Sequence, residues 1–569
     1  MHKKGTIITF CVMVIMIGMA ATSHAATSWY VSPTGNDTIG NGSSGSPWAT
    51  LSNACSKVTN AGDTINLAAG NYTDNNPCTL GAGVNIAGAG SGSTYITSSY
   101  SGGYYITLVY APAMSGAGTA NGNQTISGFT LDGNNKALLS GIQIIGYNHV
   151  TLNDLDFKHI NEGAIKLEGL DNWTNILGIN GEDYNVPPPY YGQYNTLTNI
   201  TITGCSAGST ASDPYGAVGT SVWVHSQQYM TWNNVNIDET PSTTTGEGFP
   251  VVSVPGWINA STINNCSFRV GNSGWGVTNN GSPSTFQMWN IENGTIISNS
   301  NFYEGYISLV AGDMCGGQGN GSSSLITSCS ATRALIFHDN NLIDTAYQGG
   351  TGHELSLSNA EYYNNYIEMG TAGFWVATHS FNLTGMNNIS FHNNIVHNAN
   401  GNSVIIQTAP ANVAISGLSI YNNTFDTAAS AWPYSGILVQ IANTLTGLAV
   451  ENNIFMNFPS GYEIYFYTGS TTSPKISYND YYNTTGIDYI YSGASAPGLT
   501  AINNITSNPE IVGTGSKYPY FTGTYYQLQA GSPMKNAGVN VGLSFTGSAP
   551  NIGAGNSVTL SAPTSLTVQ

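Results

Sequence analysis

Apolar residues recur at alternate positions in short runs along most of the chain, and a small polar signature interrupts them at intervals. The signature reads Ile263-Asn264-Asn265-Cys266-Ser267-Phe268, then Ile297-Ser298-Asn299-Ser300-Asn301-Phe302 and His338-Asp339-Asn340-Asn341-Leu342-Ile343. It returns as Tyr362-Tyr363-Asn364-Asn365-Tyr366-Ile367, Phe391-His392-Asn393-Asn394-Ile395-Val396 and Ile420-Tyr421-Asn422-Asn423-Thr424-Phe425. Two more follow, Val450-Glu451-Asn452-Asn453-Ile454-Phe455 and Tyr478-Asn479-Asp480-Tyr481-Tyr482. Period-two alternation predicts strands with one buried face. A repeat of a few tens of residues, built of short strands without a helical period, predicts one coil of a β-solenoid per repeat.

Taking Asn265, Asn299, Asn340, Asn364, Asn393, Asn422, Asn452 and Asn479 as equivalent, this reading stacks one Asn on the next, about 4.8 Å apart, as an amide ladder. The ladder is scaffold. The longer repeats carry insertions, and loops on a rigid scaffold are where sites tend to sit.

Both ends of the chain resemble a known family. Tyr30-Val31-Ser32-Pro33-Thr34-Gly35-Asn36-Asp37, Pro47-Trp48-Ala49-Thr50-Leu51, Ala61-Gly62-Asp63-Thr64-Ile65 and Gly70-Asn71-Tyr72 are similar to the opening of pectate-lyase-like right-handed parallel β-helix proteins. Asn508-Pro509, Tyr526-Gln527-Leu528, Gly531-Ser532-Pro533, Ala537-Gly538-Val539 and Asn551-Ile552-Gly553-Ala554 are similar to the closing segment. The resemblance implies an all-β fold, a right-handed parallel β-helix, with a short N-terminal capping helix whose apolar face is Leu51, Ala54, Cys55 and Val58. It specifies a fold more than a reaction, because the superfamily holds lyases, hydrolases, epimerases and non-catalytic adhesins. The chain then divides into a leader over 1–25, a cap with the first coils over 26–110, a central helix with loop insertions over 111–490, closing coils over 491–555 and a tail or linker over 556–569.

Lys3 and Lys4, the apolar run from Thr6 to Ala21 and Ser23-His24-Ala25 read as an export leader. The run is short for a membrane span, and no second run of about 20 apolar residues follows. The expected protein is secreted or surface-located, and a capped solenoid has no need of a partner, so a monomer is expected. Six cysteines remain after the leader, which permits disulfides. Cys315 and Cys329 flank a Gly/Ser-rich loop and are the first candidate pair, Cys55 and Cys78 the second. Cys205 and Cys266 either pair or stay as buried thiols.

The formal charge is −18, and loss of Lys3 and Lys4 with the leader makes it −20. That disfavours nucleic acid, whose binding needs clustered cations. It also disfavours unassisted binding of a polyanionic glycan, unless a cation such as Ca2+ bridges carboxylates of both partners. Asp154, Asp156, Glu182 and Asp183 are the candidate Ca2+ ligands.

The motif sets of polygalacturonases, alginate epimerases and pectate lyases do not occur in the sequence. Candidate chemistry is therefore read from register. Glu247 and Glu304 precede strands at matching positions and form a candidate acid/base pair about 10 Å apart. Lys166, His225 and Arg269 are candidates for the base and the charge-neutralising cation that β-elimination requires. Lys158 shares Arg269's column but three coils away, too far for one sugar. Trp223, Trp275, Tyr306, Glu354 and Trp375 are candidate glycan contacts, since outward aromatic rings stack on sugars. The leading functional reading is a polysaccharide lyase or glycoside hydrolase. The alternative is a non-catalytic adhesin or glycan-binding scaffold.

Overall fold

The computed structural model describes residues 25–110, 118–136, 139–160, 163–169, 190–205, 221–239, 252–254, 258–269, 284–288, 291–303, 306–309, 335–343, 353–355, 358–368, 372–378, 385–397, 402–408, 414–427, 435–458, 462–484, 488–490, 494–514 and 525–554. Its strands wind as a right-handed parallel β-helix. One coil shows the construction. Ala360–Tyr363 lies on what we call face one, Tyr366–Glu368 on face two and Ala372–Thr378 on face three. Each strand pairs in parallel with its counterpart in the next coil, Ala360 with Ile389, Tyr366 with Ile395 and Phe374 with Val404.

Side-chain alternation fills the interior. Ala360 and Tyr362 point in and are buried, whereas Glu361 and Tyr363 point out. In register, Ile297, Phe337, Tyr362, Phe391, Ile420, Val450 and Ile476 make one inward column, all buried. Its aromatic members stack, with ring centroids 5.4 Å apart for Phe337–Tyr362 and 5.3 Å for Tyr362–Phe391. Such stacking adds to the burial of large apolar surfaces.

The turn between faces one and two explains the Asn signature and corrects its alignment. Two columns run side by side. The outer one holds Asp154, Asn199, Asn234, Asn265, Asn299, Asp339, Asn364, Asn393, Asn422, Asn452 and Tyr478, all with positive φ, for example 57° at Asn364 and 59° at Asn452. Asn and Asp tolerate this left-handed geometry better than other side chains. The inner column is the residue that follows: Asn340, Asn365, Asn394, Asn423, Asn453 and Asn479, all buried. Here lies the ladder. Asn365 donates its backbone N–H (3.0 Å) and its side-chain amide (2.9 Å) to Asn394 Oδ1, and its amide also donates to the Phe337 carbonyl (3.0 Å). Asn394 repeats the pattern on Asn423, and Asn423 on Asn453. The sequence alignment thus mixed two columns: Asn340 and Asn479 belong to the ladder, the other six to the left-handed corner. In the coils before Asn340 the inner position is apolar or small, namely Leu155, Ile200, Val235, Cys266 and Ser300.

The N-terminal cap is the helix Leu51–Cys55, whose N-cap Thr50 accepts from Asn53 N. Leu51, Ala54 and Cys55 are buried, and Cys55 is bonded to Cys78. Cys205 and Cys266 are separate buried thiols, which resolves that alternative; Cys315 and Cys329 lie outside the described residues. At the other end, residues 525–554 run back along the outside of face two. Tyr526, Leu528, Met534 and Ile552 pack there on Tyr303, Ile343, Tyr366, Ile395, Ile454 and Met456 as a second apolar cluster. Face two is therefore covered on both sides, which is why Asn341–Ile343 and Ile454–Phe458 lack clean alternation. Among the described residues no helix is long and apolar enough to cross a membrane.

Candidate functional site

Face three gathers most of the candidate residues that the structure describes. Its strands Ile165–Glu168 and Val222–His225 pair in parallel, Lys166 beside Trp223 and Glu168 beside His225. Ile165, Leu167, Val222 and Val224 fill the core. Alternation then turns Lys166, Glu168, Trp223 and His225 away from it, onto the outer surface of two successive layers about 4.8 Å apart. Lys166 Nζ lies 3.0 Å from Glu168 Oε1. The Trp223 and His225 rings stack with centroids 6.0 Å apart and planes 21° from parallel.

These outward groups are nevertheless buried: Lys166 and Trp223 are 6% exposed and His225 is 5% exposed. An ion pair removed from water is costly unless its geometry is good and its remaining hydrogen-bonding capacity is met. A cation, a carboxylate, an imidazole and an indole packed together are therefore an expensive cluster to keep on a strand that needs only small polar residues outside. Chemically, the set offers a proton-transfer group, a positive charge held in place by a carboxylate, and a flat apolar ring.

In backbone register the same file runs on through Ser253, Gln287 and Ser308 to Glu354 and Trp375. Register thus puts Lys166, Trp223, Glu354 and Trp375 in one file, with Glu354 four layers beyond Trp223, roughly 19 Å. The Trp375 indole donates to Gln407 Oε1 at 2.9 Å. Tyr306 begins another strand of this face. Glu247, Glu304 and Trp275 lie outside the described residues.

Arg269 is elsewhere. It ends Ser267–Arg269 on face two, paired with Asp238 below and Tyr303 above, and its guanidinium sits 4.6 Å from the Tyr303 ring centroid. Register also places Lys158 three layers from Arg269 in that column. Arg269 accordingly lies on face two, whereas Lys166 lies on face three.

The proposed cation ligands are partly engaged. Asp154 occupies the left-handed corner and accepts from Ser91 Oγ (2.8 Å) and Ser91 N (3.3 Å). Burial raises the Asp156 carboxyl above its ordinary value, against the lowering influence of Lys158 and of hydrogen bonds from Thr201 and Thr130. Glu182 and Asp183 lie outside the described residues. Among the described residues no three His, Cys, Asp or Glu side chains converge as cation ligands.

A second constellation is structural. The Tyr526 hydroxyl donates to Asp426 Oδ2 (2.6 Å) and accepts from His397 Nδ1 (2.7 Å), with His397 and Asp426 3% and 1% exposed. Burial pushes the Asp426 carboxyl up, but hydrogen bonds from His397, Asn457 and Tyr526 outweigh it and hold it below its usual range. The three residues pin the returning C-terminal segment to face two.

The nearness of His225 to Lys166 was the feature hardest to read in advance, because 59 residues separate them. The signal available was the shared alternation of Ile165-Lys166-Leu167-Glu168 and Val222-Trp223-Val224-His225, which align position for position. The groove on face one described below was missed altogether.

The fold defines the class: this is a parallel β-helix protein. No family model and no curated protein matches the chain. Solved structures do. The tailspike protein of E. coli bacteriophage HK620, in complex with a hexasaccharide, is 12% identical over 77% of this chain and 73% of that one, with a TM-score of 0.46. An alginate lyase from Paenibacillus sp. is 14% identical over 72% and 99%, TM-score 0.30. ORF18 of Geobacillus virus E2 is 10% identical over 69% of this chain and spans only 57% of that protein's length, TM-score 0.33. At such identities the likeness is one of fold.

Proposed function

We propose that this protein is an exported carbohydrate-active enzyme that cleaves a polysaccharide outside the cell, with its reactive centre at Lys166, Glu168, Trp223 and His225. The observation that carries the reading is the convergence of these four side chains on the outer surface of adjacent layers, away from the core. Of the two cleavage chemistries, β-elimination fits better. It needs a base for a ring proton and a positive charge to neutralise the adjoining carboxylate. His225 supplies the first and Lys166 the second, with Glu168 orienting the ammonium and Trp223 fixing the imidazole plane and offering a surface for a sugar ring. Hydrolysis needs two carboxyl groups about 5 to 9.5 Å apart, and Glu168 is the one carboxyl group in the cluster among the described residues. Glu247 and Glu304 remain the proposed pair for that alternative. Ca2+ is proposed as a bridge that offsets the protein's negative charge.

One observation favours a second reading, glycan binding without turnover. Exposures of 5–6% leave little of the Lys166, Trp223 and His225 side chains for a substrate to touch.

The test is a polysaccharide panel including alginate and pectin, with and without a chelator. The expected product is an unsaturated sugar end, detected by its new absorbance, and its formation falls 10²- to 10⁴-fold (order of magnitude) in His225→Ala and Lys166→Ala. Reducing ends without that absorbance, lost in Glu247→Gln or Glu304→Gln, would mean hydrolysis. Full turnover in all four variants removes both proposed centres. Binding with no product from any glycan leaves the second reading.

A further inference from the structure

Face one carries a groove that the cluster on face three does not use. It encloses about 220 Å³, and its floor is formed by Asn359, Glu361, Asn388, Ser390, Ser419 and Tyr421. Register explains the floor. Glu361, Ser390 and Ser419 are one outward column over three successive layers, and Tyr421 belongs to the neighbouring column. That neighbouring column is a stack of flat rings: His338 on Tyr363 at 4.8 Å and 2°, and Tyr363 on His392 at 5.1 Å and 4°. Their faces cover one another, so only ring edges and polar atoms look outward. The far wall comes from the returning C-terminal segment, Val541, Gly542 and Leu543. Asn452 holds that segment in place, its amide donating to the Val539 carbonyl and its Oδ1 accepting from Val539 N, both at 2.8 Å.

We infer that this groove is a second saccharide-binding site, taking one neutral sugar ring, whether of a mixed neutral and acidic glycan or of another saccharide, independent of the reactive centre. Three features argue for that ligand. The volume lies below the roughly 300–1,000 Å³ of pockets that hold drug-sized molecules, which suits one ring rather than several. The Ser390, Ser419 and Tyr421 hydroxyls make no hydrogen bond to any described residue; Ser390 and Ser419 stand one layer apart and Tyr421 two residues along the strand from Ser419, so together they present donors and acceptors across the groove. Among the described residues no Lys or Arg lines the groove. Its charged member is Glu361, whose Oε1 lies 3.2 Å from His392 Nε2. The hydroxyls of a neutral sugar can donate to this carboxylate, whereas a sugar carboxylate would face it without a Lys or Arg among the described lining residues. The site rests on the glycan reading of the protein, not on Lys166 or His225 being catalytic.

The experiment is calorimetric titration of the full-length protein with neutral hexose oligosaccharides (gluco-, galacto- and manno-oligomers) and with a uronate oligomer as the charged comparison. Three groove variants are compared with wild type: Ser419→Trp, which fills the groove, Ser390→Ala, which removes one hydroxyl, and Leu543→Gly, which opens the wall. All three changes lie on the surface, and thermal melting checks that folding is kept. At least one neutral oligomer is expected to bind, with affinity lost at least tenfold in Ser419→Trp and weakened about fivefold in Ser390→Ala. Absence of neutral-oligomer binding, or binding indifferent to Ser419→Trp, overturns the site. Turnover read in parallel keeps the two claims apart: product formation unaffected by His225→Ala and Lys166→Ala counts against the reactive centre and leaves the groove result standing.

Discussion

Asp480 shows how much one position in a stacked scaffold can depend on pH. It follows the ladder residue Asn479, is fully buried, and its Oδ1 accepts from Ser507 N at 3.0 Å while Oδ2 has no hydrogen-bond partner. Burial pushes its carboxyl up to about 7, against the lowering effect of hydrogen bonds from the Ser507 and Tyr481 backbone. The unfolded chain ionises near the ordinary 3.8, so between that value and about 7 the unfolded state loses its proton while the folded state keeps it. Stability linked to this group is full below pH 4, declines as pH rises to 7 and is flat beyond. Asp480→Asn is expected to be more stable than wild type at pH 8, by up to about 4 kcal/mol, and indistinguishable below pH 4. Denaturant unfolding at the two pH values checks this. The proposed reactive centre of Lys166, Glu168, Trp223 and His225 also depends on single residues. Lys166 and Glu168 hold each other, so Glu168→Gln is expected to lower turnover less than Lys166→Ala does, which steady-state kinetics on a cleaved glycan would show.

At the scale of the element, the corner between faces one and two carries two side-by-side requirements that the sequence writes with the same letter. Asn393 meets a conformational one, φ of 55°. Asn394 meets a hydrogen-bonding one, its Oδ1 taking two donors from Asn365 while its amide donates to Asn423 Oδ1 and to the Tyr362 carbonyl. Truncating them should therefore cost different amounts. Asn393→Ala is expected to lose about 1 to 2 kcal/mol, and Asn393→Gly less, since glycine adopts positive φ freely. Asn394→Ala removes the acceptor of two Asn365 donors and the donor to the Tyr362 carbonyl and Asn423 Oδ1, and is expected to lose about 2 to 4 kcal/mol. Chemical denaturation of the three variants separates the cases. Equal losses at both positions would count against the assignment of the two columns.

The whole molecule is a column in which each layer touches chiefly its neighbours, so its ends govern its integrity. At the start, Cys55–Cys78 ties the capping helix to the first coils across 23 residues. Reduction is expected to cost about 3 kcal/mol and to loosen the cap before the central coils, visible as early amide exchange over 26–110. At the finish, Tyr526 anchors the returning segment through Asp426 and His397. Tyr526→Phe leaves those two buried groups without the hydroxyl. Exchange is expected to rise over 525–554 and to leave the layers around Asn340 to Asn423 unchanged. The same segment makes the wall of the face-one groove, so this variant should also weaken any sugar bound there.

How much of this could be read from the chain alone follows from what a repeat encodes. Period-two alternation and the recurring Asn signature determined the fold, because each coil is a local pattern that must bury one side of every strand. The capping helix and Cys55–Cys78 were legible from a short stretch at the N-terminus. Which Asn of each pair turns the corner and which makes the ladder was not legible, since both answer to the same residue type and only coil-to-coil register distinguishes them. Nor was the juxtaposition of Lys166 and Glu168 with Trp223 and His225, or the meeting of Ser390 and Ser419 with Val541–Leu543. Insertions of varying length lie between coils, and the C-terminal segment folds back over layers more than a hundred residues earlier. Those distances close only when the layers stack, so the stacked structure, and not the chain's order, decided which side chains share a site.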